Sequence, residues 1–259
     1  VRGLNLGIDF SGGILIELQF DRLIPLNELR AALAGSKLGP YELQSFPQKN
    51  LALIKVKGSM EQSDIATAVI KESLDKVTTG YSVVRTEFVG PRVGKHLLRM
   101  AYLAILFSFL GIIIYVAIRF KSGIWGVAGV VALIHDVFIT LSVFSILGLE
   151  VDLTVVAALL SLAGYSINDT IVVFDRIREN LVMMRKEPLA NIISGSINQT
   201  LSRTIITSLC TELVVLALFF FGGDVLHNFS FALLFGIFIG TYSSIFIASP
   251  IVYEWNKKK

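Results

Sequence analysis

The chain has 259 residues, of which 54% are hydrophobic and only 17% charged. Soluble domains carry about 45–50% apolar and about 25% charged residues, so a wholly soluble protein is excluded. The formal net charge of +3 decides little, because in a membrane protein the placement of basic residues counts for more than their sum.

Residues 1–95 read as a small α+β domain. "GILIELQF" alternates as a strand, and "PLNELRAALA" from Pro25 to Ala34 has helical leucine spacing with proline near its first turn. "YELQSF" and "LALIKVK" flank "PQKN" as a hairpin. Met60 to Val77 reads as an amphipathic helix with Ile65, Val69, Ile70, Leu74 and Val77 on one face, and "YSVVRTEF" as a last strand. The order β-α-β-β-α-β is the split arrangement called ferredoxin-like. "GIDFSGG" supplies glycines at a strand start; with no GxxxxGK[ST] or GxGxxG pattern, a tight turn is expected there rather than a phosphate loop.

Residues 96–259 read as a transmembrane domain of five helices, at about 97–118, 123–148, 153–174, 201–221 and 228–252. Each is close to the roughly 20 apolar residues that a bilayer requires. The fold class is therefore a polytopic α-helical membrane protein with a small ferredoxin-like domain. "RFKSG", "DRIRENLVMMRKEP" and the terminal "NKKK" are basic, whereas "GLEVDL" and "FGGDVLHN" are not. The positive-inside rule then puts the C-terminus in the cytoplasm and the N-terminal domain outside, in the periplasm. Arg92, Lys95 and Arg99 oppose this, but a folded domain upstream can override them. Five spans leave that domain tethered at one end, so a sixth span is expected upstream of Val1. The single cysteine, Cys210, makes no intrachain disulfide, and His96 and His227 lack companions at metal-ligand spacing. No metal, cofactor or nucleic-acid partner is expected; the spans imply lipid.

Several stretches together resemble the SecF branch of the SecD/SecF protein-export family. They are "GLNLGIDFSGG", "RTEFVGPRVGKHL", "HDV", "VDLTVVAALLSLAGYSINDTIVVFDRIREN", "SINQTLSRTIITS" and "FGGDVLHNFSFALLFGIFIGTYSSIFIASP". The resemblance implies membership of the RND superfamily and a location in the bacterial inner membrane. It also implies a pairing with SecD, separate or fused, in a unit that assists the SecYEG channel and uses the proton gradient to promote export. YajC and the exported preprotein are further implied partners. Within that resemblance, the matching aspartate and arginine, Asp169 and Arg203, are the functional pair.

The residues support this on their own terms. Asp169 lies about five residues from the end of its span, roughly 8 Å deep, where a carboxylate costs about 2.5–3.5 kcal/mol on insertion scales. Hydrocarbon favours the neutral acid and a nearby cation the charged one, so an acid subject to both can load and release a proton. Ser161, Tyr165, Asn168 and Asp169 are spaced to lie on or near one face, and Gly164 would admit a close helix neighbour. Arg203 is expected in the first turn of the fourth span, and its charge is permanent. The alternative is that Asn168 and Asp169 only lock helices together.

Asp175, Arg176, Arg178 and Glu179 read as a charged helix end with ordinary surface pairs. His135 and Asp136, near the middle of the second span, read equally as a functional site and as a satisfied structural pair. Glu212, midway along the fourth span, reads as a neutral, hydrogen-bonded acid or an extra protonatable group. Three functions compete: a proton-coupled export subunit, a purely structural subunit of the translocon, and an intramembrane aspartyl protease using Asp136 and Asp169. Their depths, roughly 20 Å and roughly 8 Å by helical rise, disfavour the protease. An RND-type exporter half is a further variant, disfavoured by the small external domain.

Overall fold

A computed structural model describes residues 3–36, 41–57, 63–76, 78 and 80–257. These fall into two compact units, Leu6–Met100 and Val1–Asn5 with Ala101–Lys259.

In the first unit, alternation of apolar and polar residues builds the sheet. A short strand β1 (Asn5–Leu6) and a single turn α1 (Ile8–Ser11) precede β2 (Gly13–Phe20), α2 (Leu26–Ala34), β3 (Tyr41–Phe46), β4 (Leu51–Lys57), α3 (Ser63–Asp75) and β5 (Tyr81–Val89). The four long strands run in the order β3-β4-β2-β5, every neighbour antiparallel. This is the expected ferredoxin-like topology. The register pairs Ile16 with Ile54 and with Thr86. Ile14, Ile16, Leu18, Phe20, Ile54 and Val56 therefore share one face, buried with Leu29 and Leu33 of α2 and Ile70 and Leu74 of α3. The Pro47–Lys49 turn and Asn50, at φ 51°, close the β3–β4 hairpin where "PQKN" stands. Met60 and Val77, expected at the ends of α3, lie outside the described residues, as does the side chain of Ile65.

The double glycine turns the chain from α1 into β2. Gly12 has φ +72° and Gly13 φ +149°, a region open mainly to glycine. A Cβ at Gly13 would also overlap the Val56 carbonyl oxygen. The glycines thus make the tight turn expected at this strand start.

The second unit is helical. α4 (Pro91–Phe120) enters it from Ala101 onward, followed by α5 (Gly123–Leu147), β6 (Glu150–Val151), α6 (Leu153–Met183), α7 (Leu189–Phe221), α8 (Gly223–Ser243), a π turn (Ser244–Ala248) and α9 (Ser249–Lys257). Five segments are long and apolar enough to cross a membrane, with α8 through α9 forming the last. Asp152 caps α6: its carboxylate accepts from the Val155 amide at 2.9 Å and from Thr154 Oγ1 at 2.6 Å.

Two helices extend well past their apolar runs. α6 continues through the charged stretch to Met183, and α7 starts at Leu189, so "ISGSINQTLSR" is helical. Arg203 is thus deep inside α7, not in a first turn. A buried clamp holds the extensions together: Asn180 donates to Ser196 Oγ at 2.8 Å and to Gln199 Oε1 at 2.9 Å. Aromatic packing seals the same end, where Trp125 stacks on Phe120 at 5.3 Å and meets Phe174 edge-on at 5.0 Å.

Candidate functional site

Asp169 is 3% exposed on α6. Ser208 on α7 donates to its Oδ2 at 3.2 Å, and Ser208 in turn shares a 2.8 Å hydrogen bond with Thr241 on α8. The acid therefore sits where three helices meet. No ion pair within 4 Å joins Asp169 to Arg203 among the described residues, and Arg203 is exposed. The Arg203 carbonyl accepts from Thr207 Oγ1 at 3.0 Å within α7 itself.

Asp136 on α5 is fully buried. Ser166 donates to its Oδ2 at 2.7 Å, and His135 Nδ1 lies 3.2 Å from its Oδ1. α8 comes close here because Gly240 has no side chain: a Cβ would stand 3.1 Å from Ser166 Oγ and 3.5 Å from Asp136 Oδ2. Ser166 is one turn from Asp169 on α6, so the two acids differ in level by about 4.5 Å along that helix rather than the ~12 Å expected. The count for Asp169 started from residue 174, whereas α6 continues to Met183. Each carboxyl nonetheless has its own hydroxyl donors, unlike a proton-sharing dyad.

Several expectations are corrected. Asn168 and Ser161 are exposed, whereas Asp169 is buried and Tyr165 half-buried. Adjacent helical residues point about 100° apart, so Asn168 cannot share the environment of Asp169. Gly164 is exposed with no atom within 4 Å of a Cβ built on it; the close approaches to α6 fall at Gly129, Gly236 and Gly240. Asp175 pairs with Arg119 of α4 at 2.8 Å and Arg176 with Glu179 at 2.9 Å, while Arg178 is exposed. Glu212 is half-buried and has no hydrogen-bond or ion-pair partner among the described residues.

Sequence reading missed Ser166, Ser208, Thr241, Ser243 and Asn180. One signal was available: Ser196, Thr200, Thr204 and Ser208 recur every fourth residue of α7, and all four are buried. Two buried side-chain oxygens have no partner among the described residues, Tyr165 Oη and Thr204 Oγ1.

A multi-pass membrane protein with a ferredoxin-like domain and acids buried among its spans is the class defined by these features. Comparison with known proteins gives the family. A profile described as "Protein export membrane protein SecD/SecF, C-terminal" matches residues 69–258, and one for the SecD/SecF GG motif matches residues 1–22. The protein translocase subunit SecF of Endomicrobium trichonymphae is 43% identical over 258 residues, covering 99% of this chain and 83% of the relative. That of Vibrio alginolyticus is 46% identical over 260 residues, covering 99% and 82%. The crystal structure of SecDF, a translocon-associated membrane protein from a Thermus species, matches with a TM-score of 0.86 and 40% identity over 98% of this chain. SecDF in its super-membrane-facing form matches at 0.73, also with 40% identity. This chain spans 34% of the first SecDF chain and 35% of the second. The chain belongs to the SecD/SecF family of protein-export membrane proteins, in its SecF branch.

Proposed function

We propose that this chain is the SecF-type subunit of a membrane complex that promotes protein export using the proton motive force. Asp169 is the proton-carrying group, and the charge of Arg203 biases its protonation. The α+β domain lies on the outer side of the membrane and the C-terminus in the cytoplasm, in keeping with the basic loops. The partner is a SecD-type subunit: the SecDF chains are about three times as long as the aligned region. SecYEG, YajC and the preprotein are the proposed wider assembly, in a bacterial inner membrane.

The observation that carries this reading is a carboxyl buried in a spanning helix with one hydroxyl donor and no cation in contact. A carboxyl serving only as a structural ion would be paired directly, since an unpaired buried charge is costly. A group that changes protonation needs partners compatible with both states, and a hydroxyl can accept from the acid or donate to the carboxylate. A purely structural subunit is favoured by one feature, the tie that Asp169, Ser208 and Thr241 make between three helices. The two readings part at Asp169→Asn, which keeps the shape and an acceptor for Ser208. Proton-dependent export by the complex is expected to be lost in this variant; export at the parental level would leave only the structural role.

A further inference from the structure

The two buried hydroxyls without a partner among the described residues, Tyr165 Oη and Thr204 Oγ1, both flank Asp169. Tyr165 is one turn before it on α6. Thr204 is one turn before Ser208 on α7, the residue that holds the acid. α6 and α7 form a hairpin, so the two lie on opposite sides of the Asp169–Ser208 contact, Thr204 nearer the α6–α7 turn. Elsewhere on α7 the buried hydroxyls bond their own helix: Ser196 to the Ile192 carbonyl at 2.6 Å and Thr200 to that of Ser196 at 3.1 Å. Thr204 is 1% exposed and its hydroxyl does not do this. A buried hydroxyl left without a partner is destabilising, and the usual occupant of such a position is an ordered water.

We propose that Thr204 positions a water that carries protons between Asp169 and the α6–α7 end of the bundle, with Tyr165 doing the same on the far side. This rests on the reading of Asp169 as a proton carrier. The four residues from Thr204 to Ser208 rise about 6 Å, close to the span of two O–H···O bonds of about 2.8 Å in line, so one water reaches from the level of Thr204 to that of Ser208. The bonding is balanced. The Thr204 hydroxyl donates to the water oxygen and keeps its own proton. The water passes one proton to an Asp169 carboxylate oxygen and is reloaded from the next water toward the turn; release runs in reverse. Arg203, the neighbour of Thr204 in sequence, is the basic residue of this turn. On the far side Glu212 is the titratable group at the level of Tyr165 on α7.

The test is proton flux into vesicles holding the full chain with its SecD-type partner, together with the melting temperature of the same complex. Thr204→Val has the same shape without the hydroxyl. It is expected to lower flux about tenfold, equivalent to ~1.4 kcal/mol of barrier, with an unchanged or raised melting temperature. Thr204→Ser is expected to restore flux, and Tyr165→Phe to behave as Thr204→Val. Parental flux in Thr204→Val alongside lost flux in Asp169→Asn would overturn this inference alone. A lowered melting temperature in Thr204→Val would also overturn it, because the hydroxyl would then be structural. Parental flux in Asp169→Asn would overturn the proton reading and this inference together.

Discussion

Replacing Asp136 by alanine strips the acceptor from a buried cluster contributed by α5, α6 and α8. Ser166, 1% exposed, loses its 2.7 Å bond to Oδ2. Ser243 has the Gly240 carbonyl at 3.2 Å, whereas Ser166 must turn back to its own helix or go without an acceptor. A buried donor without an acceptor costs about 1–3 kcal/mol. The loss cannot be relieved by collapse, because Gly240 opposite has no side chain to move. Asp136→Asn keeps an oxygen for Ser166 and is expected to cost less than about 1 kcal/mol, the net value of an ordinary hydrogen bond. Ser166→Ala removes the donor, and combined with Asp136→Ala it should cost less than the two singly, with a coupling of about 1–2 kcal/mol. Unfolding by titration with a denaturing detergent reports this through Trp125, which is packed on Phe120 and Phe174. The only other tryptophan is half-exposed Trp255, replaced by phenylalanine beforehand. Additivity within about 0.3 kcal/mol would refute the claim that the Asp136–Ser166 bond ties α5 to α6.

Two further outcomes concern the α+β unit. Gly13→Ala combines an unfavourable φ with a Cβ against the Val56 carbonyl oxygen. It is expected to destabilise the unit by more than ~1 kcal/mol, visible as faster proteolysis within residues 6–100 of the full chain. Tyr81 ionises at about 12 instead of 10.0, raised first by burial and then by the hydrogen bond and charge of Asp75, whose Oδ1 accepts from Tyr81 Oη at 2.8 Å. The folded state therefore favours the neutral phenol. This contribution is fully present below pH 10 and is lost as pH rises through about 12. Tyrosinate absorbance of the full chain should lose its late-titrating component in Tyr81→Phe; an unchanged titration would contradict the assignment.

The α+β topology was legible because two periodicities, two and 3.6, alternate cleanly over residues 13–89. The spans were legible because uninterrupted apolar runs have few alternatives. The helix ends were not. "ISGSINQ" is rich in residues with poor helix propensity, and only the Asn180 clamp to Ser196 and Gln199 shows what holds it helical. Asp169 stood out as an acid in an apolar run, but its neighbours were assigned to its face from spacing alone. Asn168 shows the limit of that step: a shift of one residue moves a side chain from core to surface. The hydroxyl partners were hidden for another reason. Many serines and threonines in these helices bond their own i−4 carbonyl, as Thr140 does to Asp136 at 2.8 Å and Ser161 to Ala157 at 2.9 Å, so a hydroxyl in an apolar run is often silent.

That silence makes its interruption informative. Along α7 the buried row Ser196, Thr200, Thr204, Ser208 presents small side chains to α6, which permits close packing, and self-bonding lets such a row cost little in polar burial. The row obeys this at Ser196 and Thr200. It breaks at Thr204, whose hydroxyl has no partner among the described residues, and at Ser208, which turns to Asp169 and Thr241. A packing device alone would have kept self-bonded hydroxyls, or alanine, at all four positions. Local rules fail where a site draws on the scaffold, and here they fail over the turn that faces the buried acid and nowhere else in the row. The charge of Arg203 lies in the same turn. The chemistry of α7 is therefore concentrated in residues 203–208, and the polar clamp at its other end serves to hold that turn in register with α6.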